Sequence, residues 1–210
     1  MFLLELCELL MNKIKNFFYF ITFIFLLNGV DAYTSETKNL TSIGNKNAKV
    51  TVKVFSSLTC PHCANFHKNI FENLKKDFID KGLVKFEHHS FPLDLAALNA
   101  ELITRCHVDN IKKFQLLGEI YKKQSQWAVG SDINVINESI KKIGLGSGLS
   151  NNKMDDCLKN ETAQDEILNE RIEAQKEYKI QSTPTIYINK KEYKGKHEYK
   201  SFKGAIEKLL

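Results

Sequence analysis

Two cysteines separated by two residues stand where this chain changes from strand to helix. The alternating, β-branched segment 48–55 predicts a strand, and Cys60-Pro61-His62-Cys63 follows after a short polar break. Apolar residues then recur at helical spacing, which predicts a helix that opens at the cysteine pair and is capped by a glycine; they are Phe66, Ile70, Leu74 and Phe78, and the glycine is Gly82.

This placement suits thiol–disulfide exchange. The thiolate is the attacking group, and a helix N-terminus offers Cys60 unpaired N–H groups and the positive end of the helix dipole. Cys63 lies one turn further in and is expected to resolve the mixed disulfide. The dipole contributes only about 0.3–1 kcal/mol, which is less than one pKa unit. Direct N–H bonds to sulfur and a charged His62 are therefore expected to add to it; the alternative for His62 is an exposed spacer.

Zinc sites use the same cysteine spacing. This chain has no second Cys-x-x-Cys and no histidine pair at zinc-finger spacing, and adjacent His88 and His89 would face opposite sides of a strand. We therefore predict no metal site and assign these histidines to the surface or the core. The alternative is a soft-metal chaperone that uses Cys60, Cys63 and His67.

The amino-terminal segment 1–32 predicts a signal peptide. Two lysines precede an apolar run at 16–27, and a small-residue cleavage site ends at residue 32. The run is shorter than the roughly 20 residues that span a bilayer, although an uncleaved membrane anchor is the alternative. Two glutamates among the first ten residues do not suit a signal peptide, so Met11 is the expected start. The remainder is expected to be exported.

Charge and cysteine content narrow the function classes. The net charge of +5 comes from lysines spread along the whole chain, which argues against nucleic-acid binding because a basic footprint should be clustered. A start at Met11 would exclude Cys7 and leave four cysteines, an even number that fits an oxidising compartment.

The pattern along the chain predicts an α/β domain interrupted by helices. A polar linker at 33–47 precedes a β-α-β unit at 48–92, whose parallel strands require a right-handed crossover. Segment 93–160 is helical and is predicted as an insertion. Segment 161–210 then supplies a helix, a strand at 185–188, a turn, a returning strand over 192–194 and a final helix.

Three segments, in this order, resemble DsbA-type oxidoreductases of the thioredoxin superfamily. They are the run 52–67 around the cysteine pair, Phe91-Pro92-Leu93-Asp94, and Thr183-Pro184-Thr185 before the late strand. The resemblance extends from about residue 44 to residue 210. It implies a thioredoxin fold, with a central mixed β-sheet flanked by helices and a helical insertion. It also implies that Cys60, Pro61, His62 and Cys63 are the catalytic residues, and that Thr183 and Pro184 form a cis-proline loop that binds an extended substrate peptide.

The same resemblance implies a periplasmic dithiol oxidase without a cofactor. Its expected partners are reduced or unfolded exported proteins and a DsbB-type membrane quinone reductase that reoxidises it. Two positions depart from the family: Val54 stands where some DsbA proteins carry a buried glutamate, and Thr183 stands where well-known oxidases have valine.

A disulfide isomerase or reductase is the alternative function. Dedicated isomerases of the DsbC or DsbG type carry an amino-terminal dimerisation domain, whereas cleavage near Ala32 would leave only segment 33–47 before the thioredoxin-like part. We therefore expect a monomer.

Some DsbA relatives carry a second disulfide in the helical insertion. By that resemblance we expect a structural bond between Cys106 and Cys157, which would close a loop of about 50 residues. The alternative is a pair of buried thiols that behave as small hydrophobic side chains.

Overall fold

The structure, a computed structural model, describes residues 40–210. The predicted signal peptide at 1–32, the expected start at Met11 and the first part of the predicted linker lie outside this range. Within 40–210 no helix has the length and apolar content needed to cross a membrane.

The described residues contain one five-stranded mixed sheet in the order β1-β3-β2-β4-β5. Strands β2 and β3 are parallel, whereas β1 pairs antiparallel with β3, β4 with β2, and β5 with β4. The strands are β1 Thr41–Gly44, β2 Val50–Ser56, β3 Val84–Ser90, β4 Thr185–Ile188 and β5 Lys191–Glu192. This sheet, flanked by helices, confirms the predicted thioredoxin fold.

Helix α1 makes the crossover between the parallel strands. It begins as α-helix at Pro61–Phe66 and continues through the π-helical segment His67–Phe71, the α-helical Glu72–Leu74 and a second π-helical segment Lys75–Ile79. Its first turn lies at the carboxyl end of β2, next to the cysteine pair.

Five helices follow β3 and form the insertion: α2 Leu95–Arg105, α3 Asn110–Lys122, α4 Gln124–Trp127, α5 Ile133–Gly146 and α6 Asn151–Leu158. Four of them have an N-cap residue whose side chain accepts a hydrogen bond from a backbone N–H of the first turn. These N-cap residues are Asp94, Asp109, Asp132 and Ser150. The chain then returns through α7 Glu161–Tyr178 and ends with α8 Tyr199–Glu207.

Strand β2 lies at the centre of the fold: one face is buried along its whole length, and the other is buried towards its carboxyl end. Val52 and Val54 pack towards α1 and the insertion helices within one continuous apolar core. Phe55 points to the opposite face, where it packs with Phe91 and with Ala174 of α7. The helical insertion therefore shares a hydrophobic core with the sheet.

Strand β1 lies inside the segment that the sequence assigns to a linker, 33–47. Ile43 is its only large apolar residue, too little for the alternation that reveals a strand. Gly44 has φ +98°, and a Cβ there would lie 2.4 Å from the Val84 carbonyl oxygen, so this close approach requires glycine. The late hairpin is also shifted: β5 is Lys191–Glu192 instead of 192–194.

The helices between β3 and α7 all fall within 93–160, and we keep these residues as the proposed bounds of the insertion. The thioredoxin-like part is likewise proposed as 48–92 and 161–210, now preceded by the edge strand β1.

Candidate active site

Cys60 is the N-cap residue of α1 and Pro61 occupies the first turn of the helix. Proline suits this place because its φ is preset for a helix and its missing N–H would have had no helical partner. The preceding loop is closed by a bond from the Cys60 backbone N–H to the Ser57 carbonyl oxygen, at 3.2 Å. Cys60 is 6% exposed and Cys63 is 1% exposed, and both are free thiols.

The two thiols have opposite acidities. The pKa of Cys60 is lowered to about 5, mainly by a hydrogen bond from the Cys63 thiol. Burial opposes this shift, whereas Thr183 and the backbone N–H groups of Cys63 and His62 add to it. Burial and then the neighbouring Cys60 sulfur raise the pKa of Cys63 far above its usual range. In the reduced pair Cys60 is therefore the thiolate, and Cys63 holds a proton that it donates to Cys60.

The loop before β4 faces this sulfur. The Thr183 carbonyl oxygen lies 3.3 Å from the Cys60 Sγ, and the Thr183–Pro184 peptide bond is cis. The Thr183 hydroxyl is also buried, and it helps to lower the pKa of Cys60. The structure thus brings the predicted substrate-binding residues next to the predicted nucleophile across a separation of 123 residues.

The His62 side chain is exposed, and His62 contacts the Cys60 sulfur through its backbone N–H. His67, four residues after Cys63, is buried; it stacks on Phe71 and packs against the tilted ring of Tyr121. Burial lowers the pKa of His67 to about 3, so its ring is neutral at physiological pH.

The insertion holds the loop that precedes Cys60 through contacts that the sequence analysis did not predict. Gln124 Nε2 of α4 donates to the carbonyl oxygens of Leu58 and Cys60, at 2.7 and 3.1 Å. Thr59 Oγ1 donates to Asp94 Oδ2 of α2 at 2.7 Å. No pattern in the sequence marks Gln124 as buried. Its one sequence signal is its position three residues before Trp127, which is also buried.

A buried polar network lies on the strand beside Val54. His88 is the register partner of Val54 on β3, and its Nε2 lies 3.1 Å from Glu101 Oε2 of α2. Arg105 donates to Glu101 and makes a two-bond contact with Glu170 of α7. Burial alone would raise the pKa of Glu101, but the charges of His88 and Arg105 hold it well below its usual range.

Cys106 and Cys157 are bonded to each other, with their Cα atoms 6.0 Å apart. The bond joins the end of α2 to α6 and closes a separation of 51 residues within the insertion. Cys7 lies outside the described range. Over residues 40–210 no three His, Cys, Asp or Glu side chains are grouped so that they could hold a metal ion.

Comparison with known proteins matches residues 36–208 to the family described as thioredoxin. The chain is 32% identical over 177 residues to the disulfide bond formation protein D of Bacillus subtilis, covering 80% of this chain and 76% of that protein. It is 29% identical to a protein of Rickettsia bellii that is provisionally named a protein-disulfide oxidoreductase, and it spans 63% of that protein's length. The crystal structure of Wolbachia pipientis alpha-DsbA1 superposes with a TM-score of 0.75 at 26% identity, covering 81% of this chain and 90% of that one.

Proposed function

This chain belongs to the thioredoxin family and is of its DsbA type, and we propose that it is a protein dithiol oxidase that donates a disulfide to exported proteins through Cys60 and Cys63. The observation that carries the proposal is the opposite displacement of the two thiol pKa values beside the Thr183–Pro184 loop.

The reaction begins with Cys60 and Cys63 joined by a disulfide. A substrate thiolate attacks the Cys60 sulfur, the Cys60–Cys63 bond breaks, and Cys63 leaves with the electron pair and takes up a proton. A second substrate thiolate then attacks the substrate sulfur of the mixed disulfide and expels Cys60 as thiolate. The substrate has lost two electrons and the cysteine pair has gained them.

A low pKa at Cys60 favours this direction. A thiol of low pKa is the better leaving group, so the last step is fast. A stabilised thiolate also makes the reduced pair more stable, which is the property of an oxidant: the family value for DsbA is about −120 mV, against about −270 mV for thioredoxin.

Thr183 and Pro184 are proposed to hold the substrate. The loop that carries them continues directly into β4, so an extended substrate segment beside it would pair as another strand would. Main-chain pairing of this kind would place a substrate sulfur near Cys60 whatever the neighbouring side chains are, which suits an enzyme that acts on many different proteins.

The compartment and the redox partner follow from the same proposal. A disulfide between Cys106 and Cys157 persists in an oxidising compartment, which supports a periplasmic location. The reduced pair would be reoxidised by a DsbB-type membrane quinone reductase, and the protein would act as a monomer.

The test is the redox potential of the Cys60–Cys63 pair, measured together with refolding of a reduced and of a scrambled substrate protein. A potential near −120 mV with rapid oxidation of the reduced substrate supports the oxidase. A potential below about −250 mV would replace the oxidase by the reductase alternative. Faster rescue of the scrambled substrate than of the reduced one would replace it by the isomerase alternative.

A further inference from the structure

We propose that Gln124 is a positioning residue for thiol–disulfide exchange: from the helical insertion it fixes the two carbonyl groups that set the start of the redox helix. The inference deepens the proposed function and rests on Cys60 being the reacting thiol.

The Gln124 amide connects two elements that are far apart in sequence. Its Nε2 lies 2.7 Å from the Leu58 carbonyl oxygen and 3.1 Å from that of Cys60. Gln124 is 9% exposed and Leu58 is 1% exposed, so both residues are largely shielded from water. Within residues 40–210 no second donor to the Leu58 carbonyl is found. The loop before Cys60 therefore depends on the amide for a buried polar group that would otherwise be unpaired.

The Cys60 carbonyl is also the first acceptor of helix α1. The backbone N–H groups of Cys63 and Ala64 donate to it at 3.1 and 3.2 Å, so with Gln124 three donors converge on one oxygen. This fixes the orientation of the Cys60–Pro61 peptide group. The same peptide group decides where the sulfur lies relative to the N–H groups of His62 and Cys63, which stabilise the thiolate.

Gln124 is held rigidly enough to act in this way. It opens the short helix α4, and its own carbonyl oxygen accepts the Ala128 N–H at 2.9 Å. Trp127 of the same helix is 2% exposed and donates its indole N–H to the Ile120 carbonyl oxygen at 2.8 Å. A side chain carried on a packed element positions its target more accurately than one on a loop.

The chemistry of the side chain also fits the task. An amide N–H₂ group supplies two donors and no net charge. A carboxylate at this place could only accept, and it would set a negative charge near the thiolate. A glutamine therefore fixes both carbonyl groups without opposing the ionisation of Cys60.

The test compares Gln124→Met, which keeps the length of the side chain and removes both donors, with the control Gln126→Met on the exposed side of the same helix. Three quantities are measured for each full-length protein: the redox equilibrium with glutathione, the titration of the Cys60 thiolate by its ultraviolet absorbance, and the melting temperature. We expect Gln124→Met to raise the midpoint of the Cys60 titration by about one pH unit. The equilibrium constant for oxidation of glutathione by the Cys60–Cys63 disulfide should fall about tenfold, which makes the redox potential about 30 mV more negative for this two-electron couple. Gln126→Met should match the native protein.

A Gln124→Met protein with the native titration and potential would overturn the inference, even if its melting temperature were lower, because a purely structural role moves only stability. Should the methionine variant not fold, Gln124→Leu carries the same comparison, because it also removes both donors and adds no charge. A Gln124→Leu protein with the native potential would equally overturn the inference. The native potential by itself tests the oxidase proposal, whereas the difference between variant and native protein tests Gln124, so the two failures are distinguishable.

Discussion

Cys60 and Cys63 lie one helical turn apart, yet their thiols are driven to opposite protonation states. Cys60 receives hydrogen bonds from the Cys63 thiol and from the first N–H groups of α1, while Cys63 is enclosed in the apolar core and keeps its proton. The asymmetry comes from position: one residue caps the helix and the other lies inside it.

The stability of the reduced protein should depend on pH through this pair. Between about pH 5 and about pH 8.5 the unfolded chain holds a proton on Cys60 that the folded protein has released, because the folded pKa is about 5 and the free thiol titrates near 8.5. The free energy of unfolding of the reduced protein, relative to the oxidised protein, should therefore rise with pH over this window. Above about pH 8.5 it should fall, since the unfolded chain then loses the Cys63 proton that the fold retains.

Urea unfolding of the oxidised and reduced proteins at a series of pH values measures this difference. The oxidised protein is the matched control because its two sulfurs do not titrate. A difference that stays flat from about pH 5 to about pH 8.5 would mean that Cys60 titrates as an ordinary thiol.

The two cysteines should fail differently when each is replaced by serine. Cys60→Ser removes the nucleophile, and disulfide transfer should be abolished. Cys63→Ser keeps the Cys60 thiolate but cannot form the Cys60–Cys63 disulfide, so it should not oxidise a reduced substrate. With a substrate that already carries a disulfide, Cys60 should attack one sulfur and expel the other as a thiolate, and this mixed disulfide should accumulate because no Cys63 thiol resolves it. Non-reducing electrophoresis and mass spectrometry of the adducts distinguish the two results, and full turnover by Cys60→Ser would exclude the mechanism.

The bond between Cys106 and Cys157 should contribute substantially to stability. In the chain-entropy model a closed loop of about 50 residues is worth about 4 kcal/mol, so replacing both cysteines by alanine should lower the free energy of unfolding by up to that amount. Denaturant unfolding of both proteins checks the difference.

A thiol count tests whether this second bond exists. In a protein that lacks Cys60 and Cys63, labelling under denaturing, non-reducing conditions should find no free thiol at Cys106 or Cys157. Two labelled cysteines there would contradict the bond.

The buried Glu101 should be needed for stability because it pairs with two buried side chains, His88 and Arg105. Glu101→Gln would remove the carboxylate that pairs with His88 and accepts from Arg105, leaving Arg105 with Glu170 alone, and breaking a buried ion pair costs about 3–5 kcal/mol. Glu173→Gln on the exposed side of α7 is the control and should change stability by less than about 0.5 kcal/mol. Equal melting temperatures for the two variants would contradict this assignment.

Local features of the site could be predicted from the sequence. The strand before Cys60 and the apolar stripe after it are both visible in the residues themselves, and the acidic and serine caps mark most helix starts of the insertion. The approach of Thr183 to Cys60 is different, because it spans 123 residues and was expected only from the family resemblance.

Other parts had no local signal. The bond from Gln124 to Leu58 spans 66 residues and depends on how the insertion packs on the sheet. His88 was assigned to the surface or the core, and only the structure shows that a buried carboxylate of α2 pairs with it on the strand next to Val54. Strand β1 is too short and too polar to be recognised without its partner β3.

The Gln124 contact also limits how this fold can be recombined. The proposed insertion, 93–160, could be exchanged between relatives in a chimeric protein. A chimera whose donor segment lacks an amide at the place of Gln124 would leave the Leu58 carbonyl dehydrated and unpaired, at a cost of about 1–3 kcal/mol. A stable chimera therefore needs a side chain in the exchanged segment that donates a hydrogen bond to this carbonyl oxygen.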